Sequence, residues 1–297
     1  MKLQAEPRRC AILEAPSILG LKPTGVERLP ETLLDNGLAE RINAHRAGRV
    51  APDEPYNPGR DPLTKTLNVR AIANYSLKLA DAVGELLDSR RFPVVLGGDC
   101  SIVLGPALAM RRRGRYGLLF IDGHADFYQP DSNPNGEAAS MDLAFATGRG
   151  PAEITNLEGR APLIRDDDAF VFGFRDADEQ AEYGSQPLPP ALRSFDLAAV
   201  RRKGADQAAG EAVAHLARVD LEGFWIHIDA DCLDDAVMPA VDYRIPDGLR
   251  PDELETVLRA ALASGRAVGM EITIYNPALD PSGSAGRVLT NILSNVL

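Results

Sequence analysis

The sequence predicts an α/β domain in which a mostly parallel sheet is covered by helices on both faces. Apolar segments with strand character alternate with amphipathic segments along the chain, a pattern typical of parallel sheets with crossover helices. Polar residues follow five of the strands, after Leu96, Phe120, Phe174, Ile228 and Ile272. Because ligand sites in open α/β sheets form at the carboxyl ends of the strands, these five polar clusters predict one site.

The first half of the chain begins with a strand and a long irregular stretch. Residues 9–14 are an apolar run that predicts the first strand. Residues 15–65 are rich in Pro, Gly and charge, which predicts loops with one short helix near 31–39. Loops of this length either line a site or form a surface excursion. The next predicted elements are a helix at 68–90, a strand at 92–96, a helix at 101–112 and a strand that begins with the apolar run at 116–121 and ends at Asp126.

The second half of the chain continues the alternation after a polar loop at 128–137. Helices are predicted at 138–147, 211–218, 251–264 and 284–296, and strands at 168–174, 224–231 and 267–274. No internal repeat is visible. The chain has 297 residues, of which 45% are hydrophobic, so it can bury a large core. We therefore expect one domain spanning residues 1–297.

The charge and the cysteine content exclude several classes of protein. The 43 acidic and 32 basic residues give a net charge of −11, which disfavours binding to nucleic acid or to an anionic membrane and favours a cationic small molecule. The three cysteines are too few and too scattered for a disulfide framework. Residues 1–9 lack the apolar core of a signal peptide, and the chain has no apolar run of membrane-spanning length. These features predict a cytoplasmic protein.

The motif Asp122-Gly-His124-Ala-Asp126 follows a predicted buried strand. Side chains alternate across a strand, so these two carboxylates and the imidazole would point the same way for as long as the strand continues. They would then converge on one point. The alternative is a turn in which the acids cap a following helix and His124 is a core residue.

A second acidic pair favours metal binding over that alternative. Asp229 and Asp231 end the predicted strand at 224–231. Two acids at this spacing repel each other strongly in a poorly solvated site, and a multivalent cation removes the repulsion. Four carboxylates and an imidazole suit manganese, and two metal ions that share bridging carboxylates would use all of them.

Three motifs together resemble the ureohydrolase family of arginase, agmatinase and formimidoylglutamase. They are Gly97-Gly-Asp-Cys100-Ser, Asp122-Gly-His-Ala-Asp126 and Asp229-Ala-Asp-Cys-Leu-Asp234, in this order and spacing. The resemblance runs from about residue 94 to residue 277. It implies a three-layer α/β/α fold around a mostly parallel sheet, a pair of manganese ions, and a homotrimer or homohexamer.

The resemblance also implies a role for each matching residue. One metal ion would be held by Cys100, Asp122, Asp126 and Asp229, and the other by Asp122, His124, Asp229 and Asp231. Asp122 and Asp229 would bridge the pair, and the nucleophile would be a metal-bridging hydroxide. Asp126 would also pass a proton to the leaving nitrogen.

Two departures from the family pattern concern the metal ions and the proton shuttle. Cys100 stands where the family has His. A thiolate ligand would suit zinc, and cobalt or nickel also fit; the alternative is that Cys100 is a small buried residue and the first metal site is weak. Ala139 and Ser140 replace the His-Gly pair of arginases and agmatinases. His227, two residues before Asp229, would then be a surrogate shuttle or a structural partner of the ligands.

Further departures concern the substrate. Ile274 stands where guanidine hydrolases have the Glu that pairs with the guanidinium. Asp178, by contrast, matches the place where amino-acid-specific members of the family contact the substrate amino group, and the resemblance implies the same role here; the alternative is an acid of a surface loop. Tyr243 stands where other members have a small polar residue, which suggests a different substrate end or a different loop.

The sequence therefore predicts a dinuclear metal hydrolase that cleaves a non-peptide C–N bond of a small guanidino, hydroxyguanidino or related amidine compound. The rival suggested by Ile274 is a linear amide hydrolase on the same fold. A second rival is a metal-binding member of the family that has lost catalysis.

Overall fold

A computed structural model describes residues 8–297 and has one eight-stranded sheet at its centre. All neighbouring strands are parallel, and their spatial order is β2-β1-β3-β8-β7-β4-β5-β6. The strands are β1 (Cys10–Ala15), β2 (His45–Arg49), β3 (Phe92–Gly97), β4 (Gly117–Ile121), β5 (Ala169–Phe172), β6 (Arg193–Phe195), β7 (Phe224–Asp229) and β8 (Ala267–Thr273).

The sequence of the inner strands explains why the sheet is parallel and central. Every residue of β1, β3, β4, β5 and β7 is buried, as expected for strands that are covered on both faces. Their runs of Val, Ile, Leu and Phe also favour extended backbone. The prediction of a mostly parallel α/β sheet is confirmed, and the observed sheet is parallel throughout.

Residues 8–297 contain eleven α-helices, ten of them between strands and the last after β8. They are α1 (Leu29–Asp35), α2 (Leu38–Arg41), α3 (Val69–Asp88), α4 (Leu104–Arg111), α5 (Asp142–Ala146), α6 (Ala152–Thr155), α7 (Ala177–Glu182), α8 (Leu197–Lys203), α9 (Ala205–Leu216), α10 (Pro251–Ala263) and α11 (Ser284–Val296). No helix of this part of the chain is both long enough and apolar enough to cross a membrane.

The helices form two layers, one on each face of the sheet. Helices α3, α4 and α5 pack on one face, where Leu79 and Leu108 join Phe120 in one apolar core. Helices α1, α9, α10 and α11 pack on the other face, where Val257 and Leu289 join a second core. This arrangement confirms the three-layer α/β/α fold.

The sequence missed several peripheral elements. Strand β2 lies within the segment predicted as loops, because its residues are charged and mostly exposed and so lack the pattern of a strand. The single helix expected near 31–39 is two short helices, α1 and α2, which Gly37 separates with a left-handed backbone. Helix α9 begins six residues before the predicted start, and the short strand β6 was not predicted. The prediction that no signal peptide is present concerns residues 1–9, and residues 1–7 lie outside the described range.

The order of the strands positions the site. Strands β3, β8, β7, β4 and β5 are consecutive neighbours in the sheet, and they are the five strands that polar residues follow in the sequence. Their carboxyl ends therefore meet at the middle of one edge. Segments that are distant in the sequence come together there.

Candidate metal centre

The turn that carries Asp122, His124 and Asp126 begins as soon as β4 ends at Ile121. The prediction of a continuing strand is therefore wrong, since the backbone turns and Asp126 is left-handed with φ of 46°. Side-chain carboxylates hold this turn in place: Asp122 Oδ1 accepts a hydrogen bond from the His124 amide at 2.7 Å, and Asp231 Oδ1 accepts one from the Gly123 amide at 3.0 Å. The three side chains still converge, but the turn brings them together rather than the alternation of a strand.

The end of β7 supplies the second pair of acids. Asp229 is the last residue of the strand, and its Oδ1 accepts a hydrogen bond from the Asp231 amide at 2.8 Å. Asp231 Oδ2 lies 2.8 Å from His124 Nδ1. From the end of β3, the Cys100 thiol donates to Asp229 Oδ2 at 2.7 Å. Strands β3, β4 and β7 thus each direct side chains to one place.

The six predicted ligands form two adjoining groups. In each group, one potential ligand atom from every side chain lies within 4.8 Å of those from the others. The first group is Cys100, Asp122, Asp126 and Asp229, and the second is Asp122, His124 and Asp231. Asp122 belongs to both groups, as expected of a bridging carboxylate. Asp229, predicted to bridge as well, belongs only to the first.

The electrostatics of these groups indicate a place for cations. Burial and then the neighbouring carboxylates raise the pKa of Asp122, Asp126 and Asp229 well above the usual range. Burial also opposes the ionisation of Asp231, but His124 outweighs it and holds the pKa of Asp231 below its usual range. Asp122 Oδ2 is buried without a hydrogen-bond partner. A divalent cation would satisfy this oxygen and remove the repulsion between the acids.

The same acids favour the protonated form of His124. Its Nδ1 lies 3.9 Å from Asp122 Oδ1 in addition to the closer contact with Asp231. Burial alone would lower the pKa of His124, but Asp231, followed by Asp122, raises it to about 9. Without a cation, the imidazole is therefore protonated at neutral pH and partly neutralises the acids.

His227 lies behind the two groups rather than in front of them. Its ring is fully buried and stacks on Phe120 with the ring centroids 4.3 Å apart. Nδ1 is 2.9 Å from Glu271 Oε1, and Nε2 is 3.9 Å from Asp122 Oδ2. The residue shares the side of the ligands, as the alternation in β7 predicted, but it does not line the cavity described next. It is therefore poorly placed to exchange protons with a molecule in that cavity.

A cavity of about 180 Å³ lies directly in front of the two groups. Its floor includes Cys100, His124, Asp126, Asp229 and Asp231. Its walls are both apolar and acidic, and they are formed by Leu21, Tyr128, Glu137, Glu179, Tyr183, Asp242, Tyr243 and Ile274 among others. The cavity is large enough for a small molecule but not for a folded polypeptide.

Ile274 forms part of the cavity wall in an unusual backbone conformation. Its φ is 70°, and only 7% of the residue is exposed. A β-branched residue rarely adopts a left-handed backbone, which costs free energy of about 1–3 kcal/mol. The Ile274 amide donates to the Gly98 carbonyl at 2.8 Å, and this bond ties the end of β8 to the end of β3.

A hydrogen-bonded network stands at one side of the cavity. The Tyr243 hydroxyl donates to Glu137 Oε2 at 2.6 Å, and Asn135 Nδ2 donates to the same oxygen at 2.9 Å. Lys22 Nζ is 3.4 Å from Glu137 Oε1 and 3.2 Å from the Tyr243 hydroxyl. The sequence singled out Tyr243 but gave Lys22 no role, because Lys22 lies in the irregular segment that has no local motif.

Asp178 is placed differently from the other predicted site residues. It lies in the first turn of α7 and is exposed. The next residue, Glu179, lines the cavity, and Asp178 does not, because successive residues of a helix point in different directions. Asp178 therefore needs a substrate that extends beyond the cavity if it is to contact it.

A match to a family model identifies the family, and two further comparisons give similar proteins and a similar fold. The model of the arginase family matches residues 23–297. The arginase of Brevibacillus brevis is 26% identical over 97% of each chain. The solved arginase of Bacillus caldovelox superposes with a TM-score of 0.86 at 24% identity, covering 97% of this chain and 98% of that one. The solved proclavaminate amidino hydrolase of Streptomyces clavuligerus gives a TM-score of 0.66 at 17% identity, covering 97% and 90%. The chain is therefore a hydrolase of the arginase family.

Proposed function

We propose that this protein is a dinuclear metal hydrolase that cleaves a non-peptide C–N bond of a guanidino, hydroxyguanidino or related amidine compound. The observation that carries the proposal is the pair of ligand groups on the cavity floor, which share Asp122. Membership in the arginase family supports the same reaction class.

Two divalent cations suit the donors of this site. Most of these donors are carboxylate oxygens, which favour manganese, and the buried Asp122 oxygen without a partner calls for a positive charge. The Cys100 thiolate would shift the preference of its own group towards zinc, cobalt or nickel. When bound, such a pair supplies a water molecule that is activated as a nucleophile at neutral pH.

The side chains of the cavity would bind the substrate and move protons. Asp126 is 6% exposed, lines the cavity and can exchange a proton with the leaving nitrogen. The acidic wall formed by Glu137, Glu179 and Asp242 favours a substrate with a positive charge at the end away from the floor. At the same end Lys22 can donate a hydrogen bond to a polar group, whereas the Tyr243 hydroxyl donates to Glu137 and leaves the tyrosine ring to contact the substrate.

Ile274 favours one alternative substrate class. Its apolar side chain at the cavity wall offers no hydrogen bonds to a guanidinium, which selects carboxylate partners. A neutral linear amide would not need such a partner. Amide hydrolysis by the same metal site is therefore the second candidate function.

The identity of the product tests these proposals. The purified protein would be supplied with Mn²⁺, Co²⁺, Ni²⁺ or Zn²⁺ and incubated with a panel of guanidines, hydroxyguanidines, amidines and linear amides. Release of urea or hydroxyurea supports the first candidate, and release of ammonia with a carboxylate supports the second. If Asp126→Asn retains full turnover, the role of Asp126 is wrong. No turnover of any compound with any metal would leave only the non-catalytic rival.

We also infer a small-molecule substrate, a homotrimeric or homohexameric assembly and a cytoplasmic location. The size of the cavity supports the first inference, and membership in the family supports the second. The three cysteines are buried free thiols, which suits a reducing compartment. Light scattering coupled to size-exclusion chromatography would measure the subunit count.

A further inference from the structure

We propose that Cys100, Asp142 and His227 form a deeper cation position behind the cavity floor, suited to a zinc-type ion. One potential ligand atom from each of these side chains lies within 4.8 Å of the others. Cys100 lines the cavity, whereas Asp142 and His227 do not. The Cys100 sulfur thus lies near the carboxylates of Asp122, Asp126 and Asp229 in one group. In the other group it lies near the side chains of Asp142 and His227, which do not line the cavity.

Asp142 gives the first independent sign of a ligand. It is 0% exposed, and neither of its two carboxylate oxygens has a hydrogen-bond partner. Burying a carboxylate with no partner costs several kcal/mol, because water no longer solvates it. The acids Asp122, Glu271 and Asp99 also repel a negative charge on Asp142. An unpaired acid here therefore needs either a proton or a cation.

His227 gives the second sign. Glu271 Oε1 lies 2.9 Å from Nδ1 and can accept its hydrogen, which leaves the lone pair on Nε2. Nε2 is buried and has no hydrogen-bond partner. Phe120 stacks on the ring and restricts its rotation. A carboxylate that orients a histidine in this way is the usual support of a metal-bound imidazole.

The donor chemistry selects the cation. A thiolate, an imidazole and a carboxylate together match the ligands of zinc better than those of manganese, which prefers oxygen. The thiolate and the Asp142 carboxylate carry two negative charges, which one divalent ion neutralises. A protonated Asp142 with a Cys100 thiol is the competing state, and it places no metal on sulfur.

Cobalt titration distinguishes these states because Co²⁺ bound to a thiolate absorbs strongly in the near ultraviolet. The expected result is a thiolate band in the wild type that is lost in Cys100→Ser. Asp142→Asn and His227→Gln should each weaken the cobalt affinity read from this band at least tenfold. The matched control is Asp231→Asn. It alters the group formed by Asp122, His124 and Asp231, and it should change the cobalt affinity less than twofold.

Two results would overturn the deeper position. One is the absence of a thiolate band in the folded wild type. The other is an unchanged affinity in Asp142→Asn and His227→Gln, which would place the ion of Cys100 with Asp122 and Asp126 instead. Neither readout uses turnover, so the product assay for the proposed hydrolase remains an independent test.

X-ray absorption provides a second measurement if those variants fail to fold. Zinc bound at one equivalent to His124→Gln should show one sulfur and one imidazole in its coordination shell. With His124 replaced, only His227 lies within reach of Cys100 among the histidines of the described chain. A zinc coordination shell that contains sulfur but no imidazole, or one that contains no sulfur, would refute the proposal.

Discussion

At the scale of single residues, Ile274 combines two features that are seldom found together. It adopts a left-handed backbone although its side chain is β-branched, and that side chain lines the cavity. Strain of this kind persists only where the surrounding structure holds it, here through the hydrogen bond from Ile274 to Gly98. The backbone conformation is therefore held by the surrounding structure, and we propose that the side chain helps to select the substrate.

Ile274→Glu should convert the cavity wall into a partner for a guanidinium. We expect the KM for a guanidino substrate to fall at least tenfold, because a carboxylate can form two charge-assisted hydrogen bonds with it. Steady-state kinetics on a guanidine and on a linear amide would measure the change. Ile274→Gln, which has nearly the same shape without the charge, is the control and should give a smaller effect. An equal improvement for both substrates would contradict the proposed role of the charge.

Tyr243→Phe should test the hydrogen-bonded network that Tyr243 forms with Glu137, Asn135 and Lys22. The change removes the hydroxyl that donates to Glu137 but leaves Asn135 and Lys22 beside that acid. We expect KM to rise several-fold with kcat nearly unchanged, since the hydroxyl lies away from the ligand groups.

Arg244→Ala is the control for Tyr243→Phe. Arg244 pairs with Asp235 at the surface and does not line the cavity, so its replacement should leave both kinetic constants unchanged. A loss in kcat but not in KM for Tyr243→Phe would place the hydroxyl in the chemical step instead of in binding.

The six predicted ligands and the network around Tyr243 differ in how well the sequence predicts them. The predicted ligands lie in short motifs directly after apolar strands, so that chain order and spacing bring them together. Lys22 and Glu137 meet through a side-chain contact between segments 115 residues apart in the chain. No local pattern marks such a contact, because it depends on how two irregular loops pack.

At the scale of secondary-structure elements, the junction between β1 and β3 fixes the loop that carries Cys100. The Gly98 Cα faces the loop after β1, where an added Cβ would lie 1.9 Å from the Ser17 carbonyl oxygen. Ser17 Oγ donates to Asp99 Oδ2 at 2.9 Å, and Asp99 Oδ1 accepts from the Ser101 amide at 3.0 Å. The Gly-Gly-Asp sequence is therefore a packing requirement that positions the thiol next to it.

Gly98→Ala should destabilise this junction, because the new methyl group cannot fit without moving the backbone of the loop. We expect the free energy of unfolding to fall by about 3 kcal/mol or more, the scale of severe overpacking. Urea denaturation would measure it. The matched control is Gly210→Ala in α9, where an added Cβ meets nothing within 4 Å. That change should stabilise the protein by about 0.5–1 kcal/mol.

Burial also separates the strands that the sequence predicts from the strand that it misses. Strands β3, β4 and β7 are fully buried and have continuous apolar runs, so the sequence identifies them. Strand β2 presents charged, exposed residues at the edge of the sheet and looks like a loop until it pairs with β1. The turn at 122–126 was mistaken for strand because its bends are set by hydrogen bonds to Asp176 and Asp231, which are distant in sequence.

At the scale of the whole molecule, we expect the acids predicted to bind metal to make stability depend on pH and on metal. In the metal-free protein the pKa values of Asp122, Asp126 and Asp229 are raised, and that of His124 is raised to about 9. A raised pKa in the folded state means that the protonated form contributes stability at low pH. This contribution is lost as the pH rises through the folded pKa.

Chelated protein should therefore become less stable as the pH rises from about 6.5, the usual pKa of His, to the value of about 9 for His124. Added Mn²⁺ or Zn²⁺ should raise Tm more at pH 8.5 than at pH 6, since ligands must lose their protons to bind metal. Thermal melts with and without chelator at the two pH values would measure this. The control variant Asp126→Asn should reduce the effect of the metal at both values. An equal gain in Tm at both pH values would contradict the coupling.

The position of β7 has a consequence for how a cation enters and leaves. This strand lies in the middle of the sheet between β8 and β4, and it ends in Asp229. The backbone of Asp229 cannot move away from a cation unless inner hydrogen bonds of the sheet break, and inner strands are usually the last part of a domain to open. A cation should therefore enter and leave through the cavity while β7 stays paired, so the β7 amide hydrogens should exchange slowly with deuterium whether or not metal is bound.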